Sequence, residues 1–195
     1  MKKYHIIYAD PAWFYNDKRN THTKLCGGAR VYYDVMKTKD ICELPIQGIC
    51  EKDCVLFLWA TPPCLKDAIE VVRSWGFVYK TFGFVWIKQN KKDKRPCFGI
   101  GYYTKSNTEI CLLATKGKII KPATNKISQL VFSPRQKHSE KPKIVRNLIN
   151  QLYPKEEKIE LFARKQTFSE YVEGWDATGL EYDGQLIQEF LLKEI

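Results

Sequence analysis

The run Cys54 to Ala60, CVLFLWA, is apolar at every position, and it constrains the fold more than any other stretch. A strand with one wet face alternates polar and apolar residues. One that is apolar throughout must be covered on both faces. After it, Pro62 and Pro63 open a helix in which Leu65, Ala68, Ile69, Val72 and Trp75 fall at helical spacing, and Gly76 is the stop. The same alternation recurs along the chain. HIIYAD (His5 to Asp10), FVYKTFGFVWIK (Phe77 to Lys88), TEICLLAT (Thr108 to Thr115), QLVFS (Gln129 to Ser133) and KIELFAR (Lys158 to Arg164) read as strands. A second helix is expected from Pro142, with an apolar stripe of Ile144, Val145, Leu148, Ile149 and Leu152. This pattern predicts one α/β domain over residues 1–195, with a central, mostly parallel sheet between helical layers. Such sheets bind ligands beyond the carboxyl ends of their strands. Asp10 and Arg164 each follow a strand-like run, so they are expected at one edge.

Composition narrows the class of function. No apolar run approaches the roughly 18 residues of a membrane span. The start, MKKYHIIYAD, lacks the long apolar region and cleavage site of a signal peptide. The sequence therefore predicts a cytoplasmic protein with no membrane partner. The seven cysteines contain no C-x-x-C pair, and His5, His22 and His138 form no ligand-like pairing, which predicts reduced thiols and no metal. The formal net charge of +10, from 32 Lys and Arg against 22 Asp and Glu, suits a polyanionic partner, because neutralising phosphates releases condensed counterions. Two stretches concentrate this charge: KQNKKDKR (Lys88 to Arg95), and Lys116 to Lys126 with four lysines. Both are expected to be loops on one side of the fold. The unpatterned segments, about Phe14 to Val35, Gln89 to Thr104 and Lys116 to Lys126, have the length of lids or binding loops. Gly99-Ile-Gly101 has the look of a nucleotide loop but lacks the third glycine.

Asp10-Pro11-Ala12-Trp13 carries the most chemistry. An amino group on an aromatic ring is a poor nucleophile because its lone pair is delocalised. A carboxylate and a backbone carbonyl accepting its hydrogens can turn the nitrogen towards tetrahedral geometry. Proline fixes the direction of such a carbonyl, and an aromatic ring two residues on can stack on the base. Asp10, the Pro11 carbonyl and Trp13 supply these functions in order. The alternative is a strand-end turn with a buried tryptophan.

With YADPAW, LFLWAT, FVWIK, SNTEICLLATKGK, HSEKP, IELFAR and GWDATGLEYDG in this order, the chain resembles the MT-A70 family of adenine N6-methyltransferases, over about Tyr4 to Gly184. The family motif is D-P-P-W, so Ala12 replaces its second proline. The resemblance implies a Rossmann-like methyltransferase fold, S-adenosylmethionine as cofactor and methylation of adenine in a nucleic acid. It places Asp10 at both the cofactor and the reacting amino group. Lys141 falls where the cofactor carboxylate is held and Arg164 near the ribose, with Glu160 supporting the lysine or arginine. Glu181 is left to accept from the ribose, since Leu180 stands where the family has an asparagine. Tyr33, with Met36, matches a segment covering the acceptor pocket. Asn107 and Glu109 are expected to face the target nucleotide, and Arg135 a phosphate. DNA is favoured over RNA because the chain carries no zinc-finger pattern or long extension, as in small bacterial or phage members. The alternatives are an RNA adenine methyltransferase and a catalytically silent nucleic-acid-binding subunit, and the resemblance is compatible with a homodimer or a partner subunit.

Overall fold

The apolar run forms the inner part of β2 (Cys50–Ala60) and is buried at every residue from Cys54 to Ala60. In the computed structural model of the protein, residues 2–14, 35–99, 101, 103–136, 140–164 and 174–193 are described. β2 lies at the centre of a seven-stranded sheet with β1 (Tyr4–Ala9), β3 (Val78–Gln89), β4 (Thr108–Lys116), β5 (Leu130–Pro134), β6 (Lys158–Leu161) and β7 (Trp175–Thr178). Their order is β5-β3-β4-β2-β1-β6-β7. Every pairing is parallel except those of β4, which runs against both β2 and β3. The mostly parallel sheet is as predicted.

Alternation along the strands sorts the core into two layers. Ile7, Ala9, Leu56 and Leu58 face α1 (Thr38–Cys42), α2 (Leu65–Ser74) and α4 (Ile187–Lys193), through Ile41, Val71, Val72 and Leu191. Ile6, Tyr8, Phe57 and Trp59 face α3 (Ile144–Leu152), through Val145 and Ile149. The crossover from β1 to β2 packs on the first face and that from β5 to β6 on the second. A crevice therefore opens between the ends of β1 and β6, the point where winding reverses and ligands settle in this architecture.

The antiparallel β4 has a direct consequence for that edge. Ala60 at the end of β2 pairs with Ile110, and Ile87 near the end of β3 pairs with Thr108. The start of β4 thus joins the ends of the other strands, and Glu109 arrives where Asp10 leaves β1.

Three expectations need correction. The second helix begins at Ile144, two residues after Pro142, and Ile144 itself is exposed while Arg146 takes a buried position on the helix. The short elements α1, β7 and α4 were not expected. The two basic stretches do not share a side, because one precedes β4 and the other follows it. Nine residues of strand separate them, about 30 Å at the usual rise.

Candidate active site

Asp10 is the first residue beyond β1, and its carboxylate meets the ammonium of Lys141, which comes from the segment leading into α3. Lys141 Nζ lies 2.7 Å from each Asp10 carboxylate oxygen and 3.2 Å from Glu109 Oε2. Glu109 Oε1 accepts in turn from Lys88 Nζ at 2.5 Å, at the end of β3. Four elements thus deliver an alternating chain of charges: Lys88, Glu109, Lys141, Asp10. Burying such groups singly costs several kcal/mol each, and mutual pairing is what offsets that cost.

The electrostatics follow from burial and order in this chain. Burial raises the Asp10 pKa above its ordinary 3.8; Lys141 opposes this and does not prevail. Asp10 is accordingly a stronger proton acceptor than an aspartate in water. Burial would release the Lys141 proton, but the flanking carboxylates outweigh it and hold the pKa above 10.5. Burial likewise works against the Glu109 anion, yet Lys141 and Lys88 together hold its pKa below 4.5.

Trp59, in β2, braces this group. Its indole N–H donates to the Tyr8 hydroxyl at 2.7 Å, and its ring centroid is 5.7 Å from Lys141 Nζ, within cation–π range. Its carbonyl accepts the Trp13 indole N–H at 2.8 Å. Trp13 itself is 6% exposed and packs in the α1–α2 core layer. In this conformation it is a wall behind the Asp10 segment, and stacking on a base requires the ring to be uncovered. The Pro11 carbonyl accepts the Trp13 backbone N–H at 2.9 Å; a carbonyl has two lone pairs, so it can accept once more. Met36 bridges the same segment, donating its N–H to Ala12 O at 2.8 Å and accepting from Phe14 N at 3.0 Å.

Arg164 and Glu181 meet at the neighbouring ends of β6 and β7, with Arg164 Nε 3.6 Å from Glu181 Oε1. Gly179 makes that approach possible: a Cβ there would stand 2.5 Å from the Ala163 nitrogen. Phe162 adopts a left-handed backbone, φ +62°, where β6 turns into this segment, a conformation that non-glycine residues rarely hold without surrounding constraint.

Glu160 departs from expectation. It lies one residue inside the strand edge, where Arg146 of α3, a partner the sequence did not suggest, grips both its oxygens, through Nε and, at 2.6 Å, through Nη2. Arg146 is 2% exposed, with its guanidinium 5.8 Å from the Tyr8 ring. Burial raises the Glu160 pKa above 4.5 in spite of this partner. Sequence reasoning missed Arg146, Lys88 and Trp59. A signal existed for the first: an arginine between buried helix positions and a glutamate inside an apolar strand each need a partner.

Asn107 immediately precedes β4, its carbonyl accepting the Lys88 N–H at 2.9 Å. Arg135 is exposed after β5. Tyr33 lies outside the described residues. Among those described, no cluster of His, Cys, Asp or Glu could hold a metal, and no helix is long and apolar enough to cross a membrane.

The donor set fits S-adenosylmethionine, which carries a carboxylate, an amine and a ribose diol. Lys141 offers a cation, Asp10 an anion, and Arg164 with Glu181 a polar pair one strand away. Thr178, fully buried at the end of β7, has a hydroxyl with no hydrogen-bond partner among the described residues.

The MT-A70 family model matches residues 4–181. The type II methyltransferase M.MunI of a Mycoplasma species is 38% identical, with 96% of this chain and 81% of that protein aligned. A putative N(6)-adenosine-methyltransferase of Medicago truncatula is 27% identical over 98% of this chain and 28% of its own length. The human N(6)-adenosine-methyltransferase catalytic subunit METTL3 is 25% identical over 94% of this chain and 29% of its own. The chain spans less than a third of these last two proteins. By the extent of the family match and the 38% identity to a relative that it covers almost throughout, the chain belongs to the MT-A70 family.

Proposed function

We propose that the chain transfers the methyl group of S-adenosylmethionine to the exocyclic N6 amino group of adenine in DNA. The observation that carries this reading is the Asp10 carboxylate, placed at the winding reversal of the sheet and held at 2.7 Å by a buried lysine. Adenine methylation is supported by the family; the choice of DNA is inferred from the type II name of the 38% identical relative.

The cofactor supplies a methyl group on a sulfonium. Lys141 holds the cofactor carboxylate, exchanging part of its contact with Asp10 or Glu109. Arg164 and Glu181 orient the ribose. Asp10 accepts one hydrogen of the adenine amino group and the Pro11 carbonyl the other, which frees the nitrogen lone pair and aims it. With the cofactor bound, its S–C bond would break as the new N–C bond forms, and the surplus amino proton would leave by way of Asp10 to water. The raised pKa of Asp10 suits that acceptance. Most of the rate comes from holding two reactants in line, and in duplex DNA the base must first leave the stack.

The test is incubation with radiolabelled cofactor and matched adenine-containing DNA and RNA, followed by nucleoside analysis. Label in N6-methyldeoxyadenosine is the expected result. Label confined to RNA would overturn the choice of DNA, and no label in either, with cofactor bound, would overturn the activity.

A further inference from the structure

The basic segments at opposite ends of β4 differ in build as well as in place. The 89–107 connection starts at the edge that carries Asp10 and is closely hydrogen-bonded at its root. Cys97, which is buried, donates its N–H to Lys88 O at 2.7 Å, Gly99 N–H to Ser106 O at 2.6 Å, and Asn90 N–H to Arg95 O at 2.9 Å. Gly99 is required there, since a Cβ would stand 2.5 Å from Ser106 O, so this glycine serves a close backbone approach and not a phosphate loop. The Arg135 N–H donates to Gln89 O at 3.2 Å, which fastens the end of β5 to the same root. The tip exposes Lys91, Lys92, Lys94 and Arg95 around a single acid, Asp93. Beyond the tip, Phe98 is 71% and Tyr103 93% exposed. The 117–129 connection instead packs Ile120 and Ile127 against the core and carries its lysines at the far edge.

Lysines and an arginine followed by exposed aromatics, on an arm with a hydrogen-bonded root beside a reaction edge, are suited to a nucleic-acid backbone and not to a small ligand. We propose that the 89–107 arm, together with Arg135, holds the DNA phosphates that flank the target adenine, while the 117–129 segment takes no part. This rests on the methyltransferase reading above. Asp10 and the arm's root at Lys88 are separated by the widths of β2, β4 and β3, about 14 Å at roughly 4.8 Å per strand. At about 3.4 Å per nucleotide step, the arm meets the backbone at least about four base pairs to one side of the target. Its contribution is therefore independent of sequence and dependent on flank length.

Two triple variants with the same loss of charge test this: Lys91→Gln/Lys92→Gln/Arg95→Gln on the arm, and Lys118→Gln/Lys121→Gln/Lys126→Gln at the far edge. Methyl transfer and direct binding are measured on a 30-base-pair duplex as salt is varied. The arm variant is expected to raise KM and the DNA dissociation constant by about tenfold or more near physiological salt. It should lower the slope of log K against log salt by about 2–3, near one for each phosphate that is no longer neutralised. Turnover at saturating DNA and cofactor affinity should be unchanged. The far-edge variant should bind as wild type does, and the arm variant should not register a flank cut to two base pairs on the side where wild type loses affinity. Equal losses in both triples would reduce the effect to net charge and overturn the proposal, as would an arm variant that binds normally. A wild-type protein that binds duplex through the arm yet transfers no methyl would remove the activity and leave the arm assignment standing.

Discussion

Lys141 and Arg146 are buried cations five residues apart, and the structure uses them in opposite ways. Arg146 sets two nitrogens against one carboxylate, Glu160, inside the sheet layer. Lys141 divides one ammonium between Asp10 and Glu109 at the crevice. A guanidinium is a planar fork that fixes one carboxylate geometry, whereas an ammonium is a point charge that can exchange partners. The same sign and similar burial therefore produce a fastening in one place and, on the proposed function, a binding group in the other. Burial alone does not distinguish a structural ion pair from a functional one; the geometry of the cation does.

The comparison breaks most visibly at Arg146. Arg146→Leu leaves a buried carboxylate unpaired and should cost about 3–5 kcal/mol, lowering Tm by on the order of 10 °C in a chain this size. Adding Glu160→Leu should restore much of that loss, because a well-packed apolar pair can replace a buried ion pair. Thermal unfolding of the single and double variants checks both statements, and a single variant as stable as wild type would make Arg146 no fastening at all. Lys141→Ala should instead weaken cofactor binding by about 10- to 100-fold, as expected for one charge-assisted hydrogen bond of roughly 1.5–3 kcal/mol. No second substitution at Asp10 or Glu109 should rescue it. Calorimetric titration decides, and unchanged affinity would remove Lys141 from the cofactor site.

The smallest effect concerns pH. Glu109 binds its proton more weakly in the folded chain than in the unfolded one. Its contribution to stability is complete above about pH 4.5 and disappears as pH falls through the lower folded value. Glu109→Gln should flatten the acid limb of the stability profile relative to wild type, measured by denaturant unfolding between neutral pH and the acid transition. An identical acid limb would show that the Lys88 and Lys141 contacts do not hold this carboxylate ionised.

Much of the frame was legible in the sequence because long apolar runs and a 3.6-residue stripe are local patterns: β2, β3, β4 and α2 lie where those runs lie. Four-residue β7, with Asp176 inside it, offers too little pattern to register. Asp10 and Lys141 were legible through their motifs, and the structure brings them into contact. Strand direction was not legible, since an apolar run reads the same both ways; only the antiparallel β4 explains why Glu109, at a strand start, stands among strand ends. Arg146 was hidden for a different reason. A helix stripe is counted in apolar letters, and its partner Glu160 lies fourteen residues away on another element. The misplaced basic stretches were avoidable, because segments before and after one long strand must leave from opposite ends.

The most direct test of the central claim, that the Asp10 edge is the reacting centre, is single-turnover methyl transfer to adenine-containing DNA by Asp10→Asn, with cofactor affinity measured in parallel. The substitution keeps the shape of the side chain and removes its anionic acceptor. The methyl-transfer rate should fall by at least about 10²–10³, the loss typical for a preorganised transition-state contact, with the cofactor still bound. A rate equal to that of wild type would place the chemistry elsewhere in the molecule.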